Sequence, residues 1–199
     1  MQAQRPRVPE PAVIDASAAD AARAGTGAAY DAAPGAVRAY IGLGANLGDP
    51  VGQLRSAVAA LAGLPGTTVV AVSSVWRSAP VGYLDQPDFC NAVAALDTCL
   101  SPQALLEALL AVEQAGGRTR EFRNAPRLID LDLLLYGDRI VDEPHLVVPH
   151  PRMVDRAFVL LPLAELAPGC IVPGAGPVSA LAAAVQGQAI ERVGALVTG

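Results

Sequence analysis

Pro126-Arg127-Leu128-Ile129-Asp130-Leu131-Asp132-Leu133-Leu134-Leu135-Tyr136 reads as a β-strand entered through an arginine and carrying two carboxylates at alternate positions. Successive side chains of a strand point to opposite faces, so Asp130 and Asp132 are expected on one face with Leu131, Leu133 and Leu135 on the other. Two readings fit this alternation. It is a strand with one wet face, or it is a place to hold a cation. Two hard oxygen donors about 7 Å apart along a strand can lean toward one Mg²⁺, or bracket two, and leave positions for water and phosphate oxygens. Arg118, Arg120, Arg123 and Arg127 crowd the approach to the strand. Guanidinium groups grip phosphate oxygens bidentately, so the neighbours favour a phosphate-transfer site.

Working outward from that strand gives the order of elements. Val37, Ala39, Ile41 and Leu43 alternate and run into the glycine-rich stretch Gly42-Leu43-Gly44-Ala45-Asn46-Leu47-Gly48, which reads as a strand ending in a tight turn. Asp49 is the expected N-cap of a helix with Pro50 in its first turn, and Val51, Leu54, Val58 and Leu61 keep helical spacing up to Gly63. Thr67 to Trp76 is β-branched and reads as a second strand. Arg77 to Phe89, with Pro80, Gly82 and Pro87, reads as a long binding loop, and Cys90 to Asp97 as a third strand. Ser101-Pro102 opens a second helix with Leu105, Leu109 and Val112 on one face, closed by Gly116-Gly117. The order β-α-β-β-α-β predicts an α+β fold of the ferredoxin-like kind, an antiparallel sheet with helices packed on one face. C-terminal helical additions follow: Met153 to Leu166, interrupted or bent near Pro162, and Val178 to Val185.

The composition narrows the chemistry. With 199 residues, 52% of them hydrophobic, the chain suffices for one well-cored domain over 37–199. Residues 1–36 are rich in Ala and Pro without periodicity and are expected to form a disordered tail. All 14 basic residues are arginine. A phosphate loop that needs its lysine, a Schiff base and a lysine general base are therefore excluded. The formal charge of −5 gives no overall field to draw in nucleic acid or an anionic membrane, so any polyanion site is local. Cys90, Cys99 and Cys170 show no paired spacing and read as buried thiols in a reducing compartment. No uninterrupted apolar run is long enough to span a membrane, and the expectation is a cytoplasmic monomer.

Five motifs stand in order along the chain: the glycine-rich stretch, Asp85-Gln86-Pro87-Asp88-Phe89-Cys90-Asn91, Gly117-Arg118-Thr119-Arg120, the arginine-entered aspartate strand, and Val148-Pro149-His150-Pro151-Arg152-Met153. Together they resemble the 6-hydroxymethyl-7,8-dihydropterin pyrophosphokinases, folate-pathway enzymes that move pyrophosphate from ATP to a pterin alcohol. The resemblance spans about residues 37 to 172. It implies that Asp130 and Asp132 hold two Mg²⁺ ions and that Arg118 and Arg127 are the catalytic arginines. It further implies that Ser78, Val81, Phe89, Asn91 and Phe158 hold the pterin, and that Glu113, Arg120, His150 and Arg156 serve ATP. The chain departs from the pattern at Asn124-Ala125, where many members have Trp-Gly, and at Pro151 and Glu121, where some have an aromatic and a basic residue.

Two other classes share such a fold. A palm-type nucleotidyltransferase or cyclase also places two aspartates on a ferredoxin-like sheet, but releases pyrophosphate. An RNA-binding sheet needs exposed aromatics and a basic stripe. An aromatic fraction of 4% and a negative net charge speak against it.

Overall fold

The N-terminal halves of the two long helices are fixed by local chemistry. In the computed structural model, which describes residues 35–117 and 127–196, helix α1 spans Pro50–Ala62 and helix α2 spans Pro102–Ala115. The Gly52 N–H donates to the Asp49 carboxylate at 3.0 Å and the Ala104 N–H to the Ser101 hydroxyl at 3.2 Å. Each cap satisfies a donor that the first helical turn leaves open, and Pro50 and Pro102 occupy first-turn positions where no N–H is needed. The predicted stripes are the buried ones: Leu54, Val58 and Leu61 on α1, Leu105 and Leu109 on α2.

Six strands form one antiparallel sheet among the described residues. Strand β1 (Val37–Ala45) lies between β4 (Phe89–Thr98) and β5 (Asp130–Tyr136). On the far side of β4 run β2 (Thr67–Val72) and β3 (Ser74–Ser78). The segment expected as one strand over Thr67 to Trp76 is thus broken at Ser73. The Ser73 hydroxyl accepts the Val93 N–H at 2.9 Å, and this side-chain bond takes the place of a rung of the ladder. Arg77 and Ser78, expected in the loop, belong to β3, which leaves 79–88 as the connection.

The two faces of the sheet are covered differently. Ala39, Ile41, Leu43, Ala92, Ala94, Leu96, Leu131 and Leu133 join the apolar residues of α1 and α2 in one core. Tyr40, Val93, Ala95, Leu134 and Leu135 form a second core on the opposite face. That core packs against helix α3 (Ala157–Leu166), and helix α4 (Val178–Ala184) packs on α3 in turn. Helices on one face therefore describe α1 and α2, while the C-terminal addition covers part of the other. Leu135 is corrected with it: the pairing of β1 with β5 slips by one residue between Tyr40 and Ile41, so Leu134 and Leu135 both join the second core. A β-bulge resets the alternation that the aspartates began.

The helix expected over Met153 to Leu166 is interrupted at Arg156, not at Pro162. A 3-10 turn, Met153–Asp155, is followed by Arg156 in extended backbone, and α3 starts only at Ala157. Gln188 bridges the break, its amide oxygen accepting the Ala157 N–H at 3.0 Å and its amide nitrogen donating to the Asp155 carbonyl at 2.8 Å. Pro162 is accommodated inside α3.

Short elements escape the periodicity altogether: hairpins β6 (Val141–Glu143) with β7 (Leu146–Val148) and β8 (Ile171–Val172) with β9 (Gly176–Pro177), and edge strand β10 (Ile190–Ala195) beside β3. No helix among the described residues is long and apolar enough to cross a membrane. The tail expected over 1–36 lies outside the described residues except for its last two.

Candidate active site

The part of the second sheet face beyond the Tyr40 row is laid out in cross-strand rows. Asp130 faces Gly44 across β5 and β1, Gly44 faces Asn91 on β4, and Asn91 faces Trp76 on β3. In the next row Asp132 faces Gly42 and Gly42 faces Val93. One row further, Leu135, Tyr40 and Ala95 are already apolar and belong to the core under α3. The glycines therefore do something other than end a strand. Gly42 and Gly44 lie inside β1 and need no unusual backbone; only Gly48, at φ +64°, sits in the turn. Gly44 leaves a floor without a side chain between Asp130 and the Asn91 amide, whereas the Leu134 side chain packs over Gly42, 3.4 Å from where a Cβ would stand. A Cβ at Gly44 would stand 3.5 Å from Asn91 Oδ1.

The electrostatics of this floor suit a cation and an anion together. Burial, and then the charge of Asp130, push the Asp132 carboxyl above the ordinary carboxylate range, while His150, Arg156 and Arg127 pull it back. Arg127 ion-pairs with Asp130, and its guanidinium carbon lies 5.8 Å from the centre of the Phe89 ring. Burial depresses His150 and Arg156, and the carboxylate of Asp132 acts on both in the opposite sense. His150 reaches the site through the bulge: its N–H donates to the Leu134 carbonyl at 2.9 Å. Its Nδ1 accepts the Arg152 N–H at 3.2 Å, which assigns the proton of the neutral ring to Nε2.

On the β4 side of the floor, Asn91 Nδ2 donates to Ser78 Oγ at 3.0 Å and to the Trp76 carbonyl at 3.3 Å. Those bonds hold the amide upright, with Oδ1 over Gly44. The Phe158 ring, at the start of α3, is 5.3 Å from the Arg156 guanidinium carbon. Beneath the sheet, Glu113 is 1% exposed and its Oε1 accepts the Leu131 N–H at 2.7 Å. It grips β5 between the two aspartates, from the α2 side.

A sequence profile of the 7,8-dihydro-6-hydroxymethylpterin-pyrophosphokinases (HPPK) matches residues 40–168. The chain belongs to this family. It is 49% identical over 156 residues to the 2-amino-4-hydroxy-6-hydroxymethyldihydropteridine pyrophosphokinase of Pseudomonas aeruginosa, covering 78% of this chain and 96% of that one. The protein of the same name from Methylorubrum extorquens is 48% identical, with 78% and 98% covered. Among solved structures, the chain is similar to a triple mutant of Plasmodium falciparum HPPK-DHPS, with a TM-score of 0.60 at 15% identity. That match covers 75% of this chain and 44% of the other, so the chain spans less than half of the fusion's length, and the likeness concerns fold alone.

Within this HPPK member, Asp130, Asp132, Arg127, Asn91, Phe89 and Ser78 share one face or its rim, and His150 and Arg156 act electrostatically on Asp132. Val81 lies on the 79–88 connection and is 68% exposed, apart from the hydrogen-bonded set. Arg118 and Arg120 lie outside the described residues, as does the Asn124-Ala125 departure. Glu113 is buried under β5. Two contributors were not legible as such. Leu134 is one apolar residue in a run of three, and its bulge is defined only by pairing with β1. Asn46, quoted within the glycine-rich stretch, is 3% exposed and hydrogen-bonded to two distant segments, which no local pattern reveals.

Proposed function

We propose that this open face transfers pyrophosphate from ATP to the hydroxymethyl oxygen of 6-hydroxymethyl-7,8-dihydropterin and releases AMP, as a step of folate biosynthesis. We read the strand order β5-β1-β4-β3 with α1 and α2 on one face as the ferredoxin-like βαββαβ arrangement. The observation that carries the functional reading is the row Asp130, Gly44, Asn91: a carboxylate of the Asp130/Asp132 pair and an oriented amide on one surface, separated by a glycine. Asn91 Oδ1 and Ser78 meet the donor edge of the pterin, and Phe89 and Phe158 cover its faces.

Asp130 and Asp132 fit Mg²⁺: both offer hard oxygen atoms on one face, and their mutual repulsion is the kind a divalent cation relieves. No cluster of three or more His, Cys, Asp or Glu side chains suited to a metal ion occurs among the described residues, so further ligands would come from phosphate and water. Two such ions, when bound, supply charge neutralisation on the phosphate chain. The pterin hydroxymethyl oxygen attacks the β-phosphorus. The bond from that phosphorus to the α–β bridging oxygen breaks, AMP leaves with the bridging oxygen, and the hydroxyl proton passes to solvent. Arg127 and, by family resemblance, Arg118 hold the transferred phosphates. Neither carries a proton, since guanidinium stays charged. His150, Arg156 and Arg120 bind the nucleotide, and Glu113 supports it from beneath β5.

Incubation with Mg-ATP and the pterin alcohol, followed by nucleotide separation, tests the reading. Pterin-dependent AMP is expected. Free pyrophosphate, as from a nucleotidyltransferase, or ADP would overturn it.

A further inference from the structure

Asn46 sits at the end of β1, 3% exposed, and its side chain uses both N–H donors and its carbonyl oxygen. Nδ2 donates to Gln86 Oε1 at 2.9 Å and to the Pro87 carbonyl at 3.0 Å. Oδ1 accepts the Arg127 N–H at 2.9 Å, and the Asn46 N–H donates to the Arg127 carbonyl at 3.1 Å. Asn46 thus holds the main chain of Arg127 with its backbone N–H and its side-chain oxygen, while its side-chain nitrogen holds the end of the 79–88 connection. Gln86 extends the clamp, its Nε2 donating to the Tyr83 carbonyl at 2.7 Å. Phe89 follows two residues after Pro87 and its ring lies beside the Arg127 guanidinium.

We infer that Asn46 is a positioning residue that couples the two substrate half-sites, setting the loop that leads into Phe89 and Asn91 against the arginine that grips phosphate. The inference rests on the proposed function, since it takes the pterin to lie by Phe89 and the phosphates by Arg127. The two half-sites come from segments 40 residues apart in sequence, and no backbone ladder joins 86–87 to 127. The Asn46 side-chain amide bridges their backbones, beside the contact of the Phe89 ring with the Arg127 guanidinium. Only Asn or Gln can donate twice and accept at once, and Gln is a methylene too long for the same three bonds. Since transfer requires the hydroxymethyl oxygen and the β-phosphorus in line at close range, a small slip of either segment is felt in the chemical step more than in the binding of either substrate alone.

The test uses the full chain with Asn46→Ala, Gln86→Ala and the double variant. Each is assayed for kcat and for both KM values, and for pterin affinity with and without a non-hydrolysable Mg-ATP analogue. In Asn46→Ala, kcat is expected to fall about 100-fold, with each KM rising by no more than the factor by which the analogue tightens pterin binding in the wild type. The effect of the analogue on pterin affinity is expected to shrink toward none. Gln86→Ala should show a smaller loss of the same kind, and the double variant no more than Asn46→Ala alone. A proportionate rise in one KM with kcat unchanged, additive losses, or intact coupling in Asn46→Ala would overturn the inference. Should Asn46→Ala fail to fold, Gln86→Ala decides: loss of coupling supports the inference and wild-type coupling overturns it. A wild-type chain that makes no pterin-dependent AMP defeats the proposed function instead, and the analogue titration still reads the coupling through Asn46.

Discussion

The two ends of one sheet face make an instructive pair. At the covered end Tyr40, Val93, Ala95, Leu134 and Leu135 pack beneath Val159 and Leu163 of α3. At the open end, beyond them on the same strands, stand Asp132 and Gly42, in the row that Val93 shares, and then Asp130, Gly44 and Asn91. Backbone pairing is the same in both. What differs is side-chain volume and charge: the covered end stabilises the fold by removing apolar surface from water, and the open end spends the same strands on groups that repel or expose one another. Glu165 helps hold the covered end in place, accepting the Ser74 N–H at 2.8 Å and the Trp76 Nε1–H at 3.1 Å, so that α3 is tied to β3 just beyond the site.

The sharpest way to break this division of labour is Asp132→Ala. Turnover, read as pterin-dependent AMP, should fall about 10³-fold, while the thermal midpoint stays level or rises because a buried, repelled carboxyl is gone. A large drop in stability would show that the open end also holds the fold. Leu163→Ala is the mirror experiment. It should cost about 2–5 kcal/mol in denaturant unfolding and leave kcat per folded molecule nearly unchanged. Gly44→Ala probes the floor between the two. Its backbone lies outside the left-handed region, so folding should be preserved. The added methyl beside Asn91 Oδ1 should raise the pterin KM about tenfold with little effect on ATP; equal rises in both would place the pterin elsewhere.

The smallest effect concerns pH without metal. Because the folded-state carboxyl of Asp132 is raised above its unfolded value, the folded chain holds that proton longer, and stability falls as pH rises from the unfolded carboxylate range through the folded one. Asp132→Asn removes this term. In EDTA the variant should be more stable than wild type at neutral pH, by a margin that closes as pH drops toward about 4, and that narrows on adding Mg²⁺. A margin independent of pH would assign it to packing instead.

Local signals carried well where the physics is local. Asp49-Pro50 and Ser101-Pro102 announced two helix starts, because a cap is made within three residues of itself. The strands β1 and β5 showed in their alternation, and the Asp130/Asp132 pair stood out because two charges inside an apolar run are conspicuous in sequence. The break at Ser73, the extended Arg156 and strand β10 did not show. Each depends on a partner far along the chain: Val93 for Ser73, Gln188 at the break beside Arg156, and β3 for β10.

The sequence by itself determined that phosphate must be met here without lysine, that two carboxylates share a strand face, and that the chain carries the ordered motifs of its family. Tertiary structure alone decided what surrounds that pair. Register placed Gly42 and Gly44 opposite the aspartates, and one bulge at Leu134 turned the end of β5 into core while lending its carbonyl to His150. A buried amide at Asn46 then joined segments that periodicity cannot relate. Cross-strand neighbours are chosen by pairing over long sequence separations, and no window along the chain contains both members of such a pair.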